Sequence, residues 1–163
     1  MMEISEEHII STIVENKPGV LFRISNMFMR RGFNIESISV GPLEESEYSR
    51  MTITVIGDIK LAEQVSKQLN KLIDVIEVSQ LIRNKSVTRE LALIRINAEN
   101  SKDRSDIMSY ADVFRGRVVD VTPTNIMIEI TGAPDKINAF IEIISDFKIE
   151  ELARTGMTAL PRG

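Results

Sequence analysis

The chain has 163 residues, 43% apolar and 27% charged, with a net charge of −4 and no cysteine. This is the balance of an ordinary globular protein; it disfavours nucleic acid, which needs a basic face, and removes disulfides, thiolate metal sites and cysteine nucleophiles. The acidic start Met1-Met2-Glu3-Ile4-Ser5-Glu6-Glu7 is not a signal peptide, and no uncharged stretch nears the roughly 18 apolar residues of a membrane span, so a cytoplasmic location is expected.

Residues 8–15 are rich in β-branched types and predict a strand. Asn16-Lys17-Pro18-Gly19 breaks it, with Pro18 suited to the first turn of a helix. That helix would carry Val20, Ile24, Met27, Phe28 and Arg31 on one face and end at Gly32. A second strand is expected at 34–41, followed by the acidic loop Glu44–Glu47 and a third strand at 51–56. Asp58 can cap a second helix with the stripe Leu61, Val65, Leu69 and Leu72, and Val75–Val78 predicts a fourth strand.

The polar segment 83–87 reads as a linker, and the same order then returns. Residues 91–96 predict a strand, 103–115 a helix with Ile107, Tyr110, Ala111 and Phe114 on one face, and 118–121 and 126–130 two strands. Arg115-Gly116 echoes Arg31-Gly32. Thr131-Gly132-Ala133-Pro134-Asp135 opens a last helix as Ile56-Gly57-Asp58 opened the second. Two tandem copies of one architecture follow. The fold class is α+β, two ferredoxin-like βαββαβ units over residues 1–82 and 83–163. Each unit would leave one sheet face and two edges uncovered, which invites pairing of copies and a homodimer.

Catalytic chemistry finds few candidates. His8 is the one histidine, and neither a nucleophile nor an orienting group stands out beside it. The eight glycines never fall in a G-x-G spacing, which excludes dinucleotide and Walker-type phosphate loops. The acidic clusters at 44–47 and at Asp103/Asp106 read as a solvated hairpin and a helix's first turn, not as metal sites. An RNA-binding sheet on this scaffold needs exposed aromatics on its central strands, and 9–14 and 51–56 have none.

The segment with functional character is Glu15-Asn16-Lys17-Pro18-Gly19-Val20-Leu21. Its helix start offers unpaired N–H groups and a positive dipole end to a carboxylate. Gly19 permits close approach, and Asn16 can offer a carbonyl oxygen to an ammonium. These are the parts needed to hold a free α-amino acid.

Asn16-Lys17-Pro18-Gly19-Val20-Leu21 resembles the turn of an ACT domain. Arg31-Gly32-Phe33-Asn34-Ile35-Glu36-Ser37-Ile38 and Ser49-Arg50-Met51-Thr52-Ile53 extend the likeness. With Phe114-Arg115-Gly116-Arg117-Val118-Val119-Asp120-Val121-Thr122 and Ala153-Arg154-Thr155-Gly156, the series resembles the small regulatory subunit of acetohydroxyacid (acetolactate) synthase over almost the whole chain. The resemblance implies an ACT domain at 1–82 that dimerises and binds a branched-chain amino acid, usually valine, at the dimer interface. It implies a separate catalytic subunit carrying thiamine diphosphate, Mg²⁺ and FAD, activated and feedback-inhibited through this chain, which itself holds no cofactor or metal and is no enzyme. Carried over by position, the turn Asn16, Lys17, Pro18, Gly19, Val20 and Leu21 lines the effector site from one subunit, and Asn34 and Ile35 complete it from the other. Phe22 is bulkier than the family's usual residue; facing the site it would narrow the pocket or weaken valine binding, and otherwise it packs in the core or on the surface along the helix. Arg30 and Arg31 are exposed candidates for contact with the catalytic subunit, although solvated surface charges would look the same. The rival is a stand-alone ACT-type sensor regulating transcription or another enzyme, for which no helix-turn-helix or basic recognition helix is visible.

Overall fold

Adjacent apolar pairs in β1 (Glu6–Glu15), Ile9-Ile10 and Ile13-Val14, put apolar side chains on both faces of the strand and decide how the first half of the chain packs. The computed structural model describes residues 5–163, and they divide into two compact units, 5–87 with 156–163, and 88–155.

The first unit continues with α1 (Val20–Arg31), β2 (Ser37–Pro42), β3 (Tyr48–Gly57), α2 (Ile59–Asn70) and β4 (Val75–Leu81). Its antiparallel sheet has the order β2-β3-β1-β4, the ferredoxin-like arrangement. Pairing of Ile10 with Ile53 and Thr12 with Met51 fixes the register. One face therefore collects Ile10, Val14, Met51, Ile53 and Val55, which pack with Val20, Ile24, Met27 and Phe28 of α1 and Val65 and Leu69 of α2. Each fully buried side chain of this size contributes about 1.5–3 kcal/mol. Arg31, expected on that helical face, is exposed because the helix ends there. Asp58 caps α2 as expected, its carboxylate accepting from Leu61 N at 2.8 Å. At the end of α1, Gly32 is left-handed at φ 68°, and Phe33 N donates back to Phe28 O at 2.9 Å, closing a Schellman turn.

The sheet's other face is not left open, contrary to the sequence expectation. Ile9, Ser11, Thr52 and Thr54 point away from the helices yet are all buried. The C-terminal residues return to lie over them. Met157 and Ala159 pack on Ile9 and Leu81, and Ser39 Oγ donates to Met157 O at 2.9 Å. Gly156 passes so close to the backbone of Ile38 that any Cβ would collide with it. The tail ends in β9 (Thr158–Pro161), which pairs with β5 (Ser86–Asn97). The segment 83–87 is thus not a loose linker. It is a single helical turn, Arg83–Lys85, followed directly by β5. The division after Val87 and the return at Gly156 differ from a single boundary at 82/83, because a half-covered sheet gains apolar burial from the tail.

The second unit comprises β5 from residue 88, α3 (Ser101–Val113), β6 (Arg117–Val121), β7 (Asn125–Gly132), α4 (Pro134–Ile143) and β8 (Ile149–Arg154). Its strands run in the order β6-β7-β5-β8. Ala92, Ile94 and Ile96 of β5 and Ile126, Ile128 and Ile130 of β7 form the core with Ile107, Ala111, Ile137 and Phe140 of the helices. The echo between Arg31-Gly32 and Arg115-Gly116 is offset by one residue. Arg115 itself is left-handed at φ 57°, and Gly116 N donates to Ala111 O at 2.7 Å, as Phe33 does to Phe28. Gly116 instead lies close to the sheet, where a Cβ would stand 3.2 Å from Glu129 O, tighter than an ordinary contact. The string Ala153-Arg154-Thr155 has a structural explanation: Arg154 Nε holds the buried Glu90 carboxylate at 2.7 Å, and Thr155 Oγ1 accepts from Leu91 N at 2.9 Å.

Met157→Ala should lower the unfolding free energy by about 2–5 kcal/mol, the usual range for truncating a fully buried large side chain. Gly156→Ala should also destabilise, through displacement of β2. Urea unfolding of the full chain checks both, and an unchanged midpoint for the two variants would mean that the tail is not part of the folded unit.

Candidate functional site

The turn between β1 and α1 is built by two residues with opposite conformational demands. Gly19 stands at φ 87°, ψ −9°, the third position of a type II turn whose second position suits proline. Val20 N reaches back to Lys17 O at 3.4 Å, which completes Lys17-Pro18-Gly19-Val20 as that turn. Pro18 therefore lies just outside the helix rather than in its first turn; the left-handed Gly19 separates them. No side chain caps α1, so its leading N–H groups and positive dipole end face outward, as an anion-binding end requires.

Asn16 is held from two directions by the β2–β3 hairpin. Its backbone N donates to Glu47 O at 2.7 Å and its Nδ2 to Ser46 O at 2.9 Å. That orientation leaves the amide Oδ1 as an unused acceptor. Lys17 is exposed and pairs with Glu15 at 2.6 Å. The hydrogen bond to Glu15, and then its charge, raise the Lys17 pKa above the ordinary lysine value.

Two residues that the sequence reading passed over brace this turn. Arg23, one helical turn into α1, donates Nε to Asp74 Oδ2 at 2.5 Å, and that bond is the main reason its pKa is raised. Asp74 is buried at the foot of β4, and its carbonyl accepts from Glu15 N at 2.9 Å. The Arg23 guanidinium lies 3.1 Å from where a Cβ on Gly19 would stand. Asp74 could not be found by spacing, since 51 residues separate it from Arg23 and only the sheet brings them together.

Within one chain the expected site residues fall into two groups. Asn16 to Leu21 cluster at the start of α1, whereas Asn34 and Ile35 follow its end. Ten helical residues, 22–31, lie between the groups, about 15 Å at 1.5 Å per residue. Asn34 is exposed and Ile35 half-buried against the first core. Leu21 is half-exposed, and Phe22 is 72% exposed, on the helix surface and not in the core. His8 is half-buried, its ring Nε2 lying 3.0 Å from Gly57 O, which gives it a structural tie. Among the described residues no group of three or more His, Asp or Glu side chains could hold a metal ion, and no helix is long and apolar enough to cross a membrane.

At the left-handed Gly19, replacement by Ala should destabilise by about 1–2 kcal/mol, and Asn, which tolerates that conformation, by less. Urea midpoints of the two variants check the order; equal stabilities would show that the turn relaxes out of the left-handed region.

Comparison with known proteins agrees with this architecture in both units. Residues 10–77 match the family model described as "AHAS small subunit-like ACT domain", and residues 89–163 match "Small subunit of acetolactate synthase". The chain is 51% identical over 158 residues to the "Probable acetolactate synthase small subunit" of Methanothermobacter thermautotrophicus, covering 97% of this chain and 94% of that one. It is 42% identical over 156 residues to the acetolactate synthase isozyme 3 small subunit of Salmonella typhimurium, covering 95% of each. The crystal structure of the acetolactate synthase small subunit of Thermotoga maritima superposes with a TM-score of 0.90 at 42% identity, over 97% of this chain and 98% of that one. With an ACT-type first unit and this likeness over nearly its full length, the chain belongs to the acetolactate synthase small-subunit family.

Proposed function

We propose that this chain is the regulatory subunit of an acetohydroxyacid synthase, binding valine or another branched-chain amino acid between two copies of its first unit. Bound effector feedback-inhibits a catalytic subunit that the chain otherwise activates. The observation that carries the reading is the uncapped, glycine-opened start of α1 beside an asparagine fixed with its carbonyl oxygen free. The N–H groups suit the effector's carboxylate and Asn16 Oδ1 its ammonium. In this reading Lys17 and Pro18 shape the turn, and Val20 and Leu21 frame the side chain.

The gap of about 15 Å between the two groups of residues supports a site shared by two chains. β2 is an edge strand with unpaired backbone groups. The flank of α1 turned away from α2 carries Leu21, Phe22 and Met29, all exposed, Met29 by 73%. Exposed apolar side chains beside an open edge suit a second copy. An isologous antiparallel β2–β2 contact sets the two α1 helices antiparallel. The turn of one chain then comes level with Asn34 and Ile35 of the other, where the second asparagine adds a polar partner for the ammonium. The chemistry of acetolactate formation, with thiamine diphosphate, Mg²⁺ and FAD, belongs in this reading to the catalytic subunit.

Valine titrated calorimetrically into the purified chain should bind saturably at one or two sites per dimer, with alanine as the control. Gly19→Asp should abolish binding, because a second carboxylate would occupy the helix end. Asn34→Ala should weaken valine inhibition of the reconstituted enzyme at least tenfold while sparing activation. Unchanged inhibition in Asn34→Ala would remove that residue from the site. Met29→Lys should shift the dimer toward monomer in sedimentation at micromolar concentration; a fully dimeric variant would place the contact elsewhere.

A further inference from the structure

The flank of α1 opposite the apolar one has a different chemistry. A groove of about 400 Å³ runs between α1 and α2, lined by Arg23, Asn26, Met27, Arg30, Arg31, Gln68 and Leu72. Arg23, Asn26 and Arg30 follow at three- and four-residue intervals and so share one helical face. Three guanidinium groups therefore line one groove, and no lining residue is acidic. Arg23 is committed to Asp74. Arg30 and Arg31 make no ion pair or hydrogen bond among the described residues. The helix dipole favours a cation in the last turn of α1, but it does not account for a cationic rim, two amide side chains and a floor of Met27 and Leu72 in a chain of net charge −4.

We infer that this groove receives an acidic segment of the catalytic subunit, one carrying carboxylates for Arg30 and Arg31 and an apolar side chain for the Met27–Leu72 floor. The inference rests on the proposed regulatory role and names the surface that serves it. Planar guanidiniums grip carboxylates in two-point geometry, and amides beside them satisfy the oxygens left over. A second copy of this chain is the weaker occupant. Copies joined along β2 and the Leu21–Met29 flank leave the opposite flank of α1 turned away from the seam. The chain's own acidic hairpin, Glu44–Glu47, stands beside Asn16, at the other end of α1 from Arg30 and Arg31.

The test compares the wild-type chain with Arg30→Glu/Arg31→Glu and Arg30→Lys/Arg31→Lys, each titrated against the purified catalytic subunit of the same organism. Half-saturating concentration for activation, sedimentation of the chain alone and calorimetric valine binding are followed. The glutamate pair should raise the half-saturating concentration at least tenfold, and the lysine pair much less. Wild-type affinity should fall between 50 and 300 mM salt, because contacts between charges are screened, and that fall should be lost in the glutamate pair. The dimer and its valine affinity should stay as in wild type. Equal half-saturation for wild type and the glutamate pair would overturn the inference. So would a glutamate pair that sediments as monomer, which would assign the groove to self-association. Failure of the wild-type chain to associate with the catalytic subunit at all would instead overturn the regulatory reading on which the inference depends.

Discussion

A four-stranded sheet with two helices has two faces and cover for only one, and the organisation of this molecule follows from that shortage. In the first unit the central strands are apolar on both sides, with Ile10 and Ile53 toward the helices and Ile9 away from them. Water on the second face would meet Ile9 and Leu81 as well as the hydroxyls of Ser11, Thr52 and Thr54. The returning tail removes that exposure. Met157 and Ala159 supply apolar surface, and the hydroxyls of Ser11 and Thr54 are buried with local partners. Ser11 Oγ accepts from Arg50 Nη1 at 2.7 Å, and Ser37 and Thr54 share a hydrogen bond at 2.6 Å. Thr52 Oγ1 stays without a partner, a modest cost beside the apolar area gained. The second unit solves the same problem less completely. Its uncovered face carries Leu93, Met127 and Ala153 around an ion pair between Arg95 and Glu151, so the apolar area left there is interrupted by charge.

With the sheet's back covered, the outer surface of α1 and the neighbouring edge strand β2 stay exposed. The helix presents three kinds of surface. Val20, Ile24, Met27 and Phe28 face the core. Leu21, Phe22 and Met29 form an apolar flank, and Arg23, Asn26 and Arg30 a polar one beside α2. A solvated helix would be polar over all of its outer surface. The division into apolar and cationic flanks gives one helix two surfaces of different chemistry, and its uncapped start lies at the end of both. An effector bound at that start would touch the element that carries both flanks. A rigid helix with two packed neighbours is the kind of element through which a coupling of about 1–3 kcal/mol can act.

The turn itself shows how a local sequence signal and a tertiary brace cooperate. Proline and glycine in succession preset the type II turn before anything else folds. What the pair cannot do alone is hold the loop against the sheet. That depends on Asp74, whose carbonyl and carboxylate tie β1 and Arg23 to the foot of β4, and on the hairpin carbonyls that orient Asn16. The brace is long-range in sequence and close in space, so it appears only once β1 stands between β3 and β4.

By itself the sequence determined the elements and their order, because amphipathic periodicity and the Gly, Pro and Asp signals at helix ends are local physics. The stripe on α1, the Asp58 cap, the Gly32 stop and the repeated βαββαβ pattern were all legible in this way. So was the turn at Asn16–Leu21, since its chemistry resides in adjacent residues. Tertiary structure alone decided the rest. Nothing local in Gly156-Met157-Thr158-Ala159 says that it will cover a sheet built from strands far upstream, because its burial depends on the shape of a surface made by other strands. Nor does spacing reveal that Arg115, rather than Gly116, takes the left-handed position. The helix length sets that, and α3 stops two residues before the sequence pattern suggested. The separation of Asn34 and Ile35 from the turn is likewise a property of the folded chain. Twelve residues that are contiguous in sequence become a rigid rod about 18 Å long, and a rod cannot bring its own two ends together.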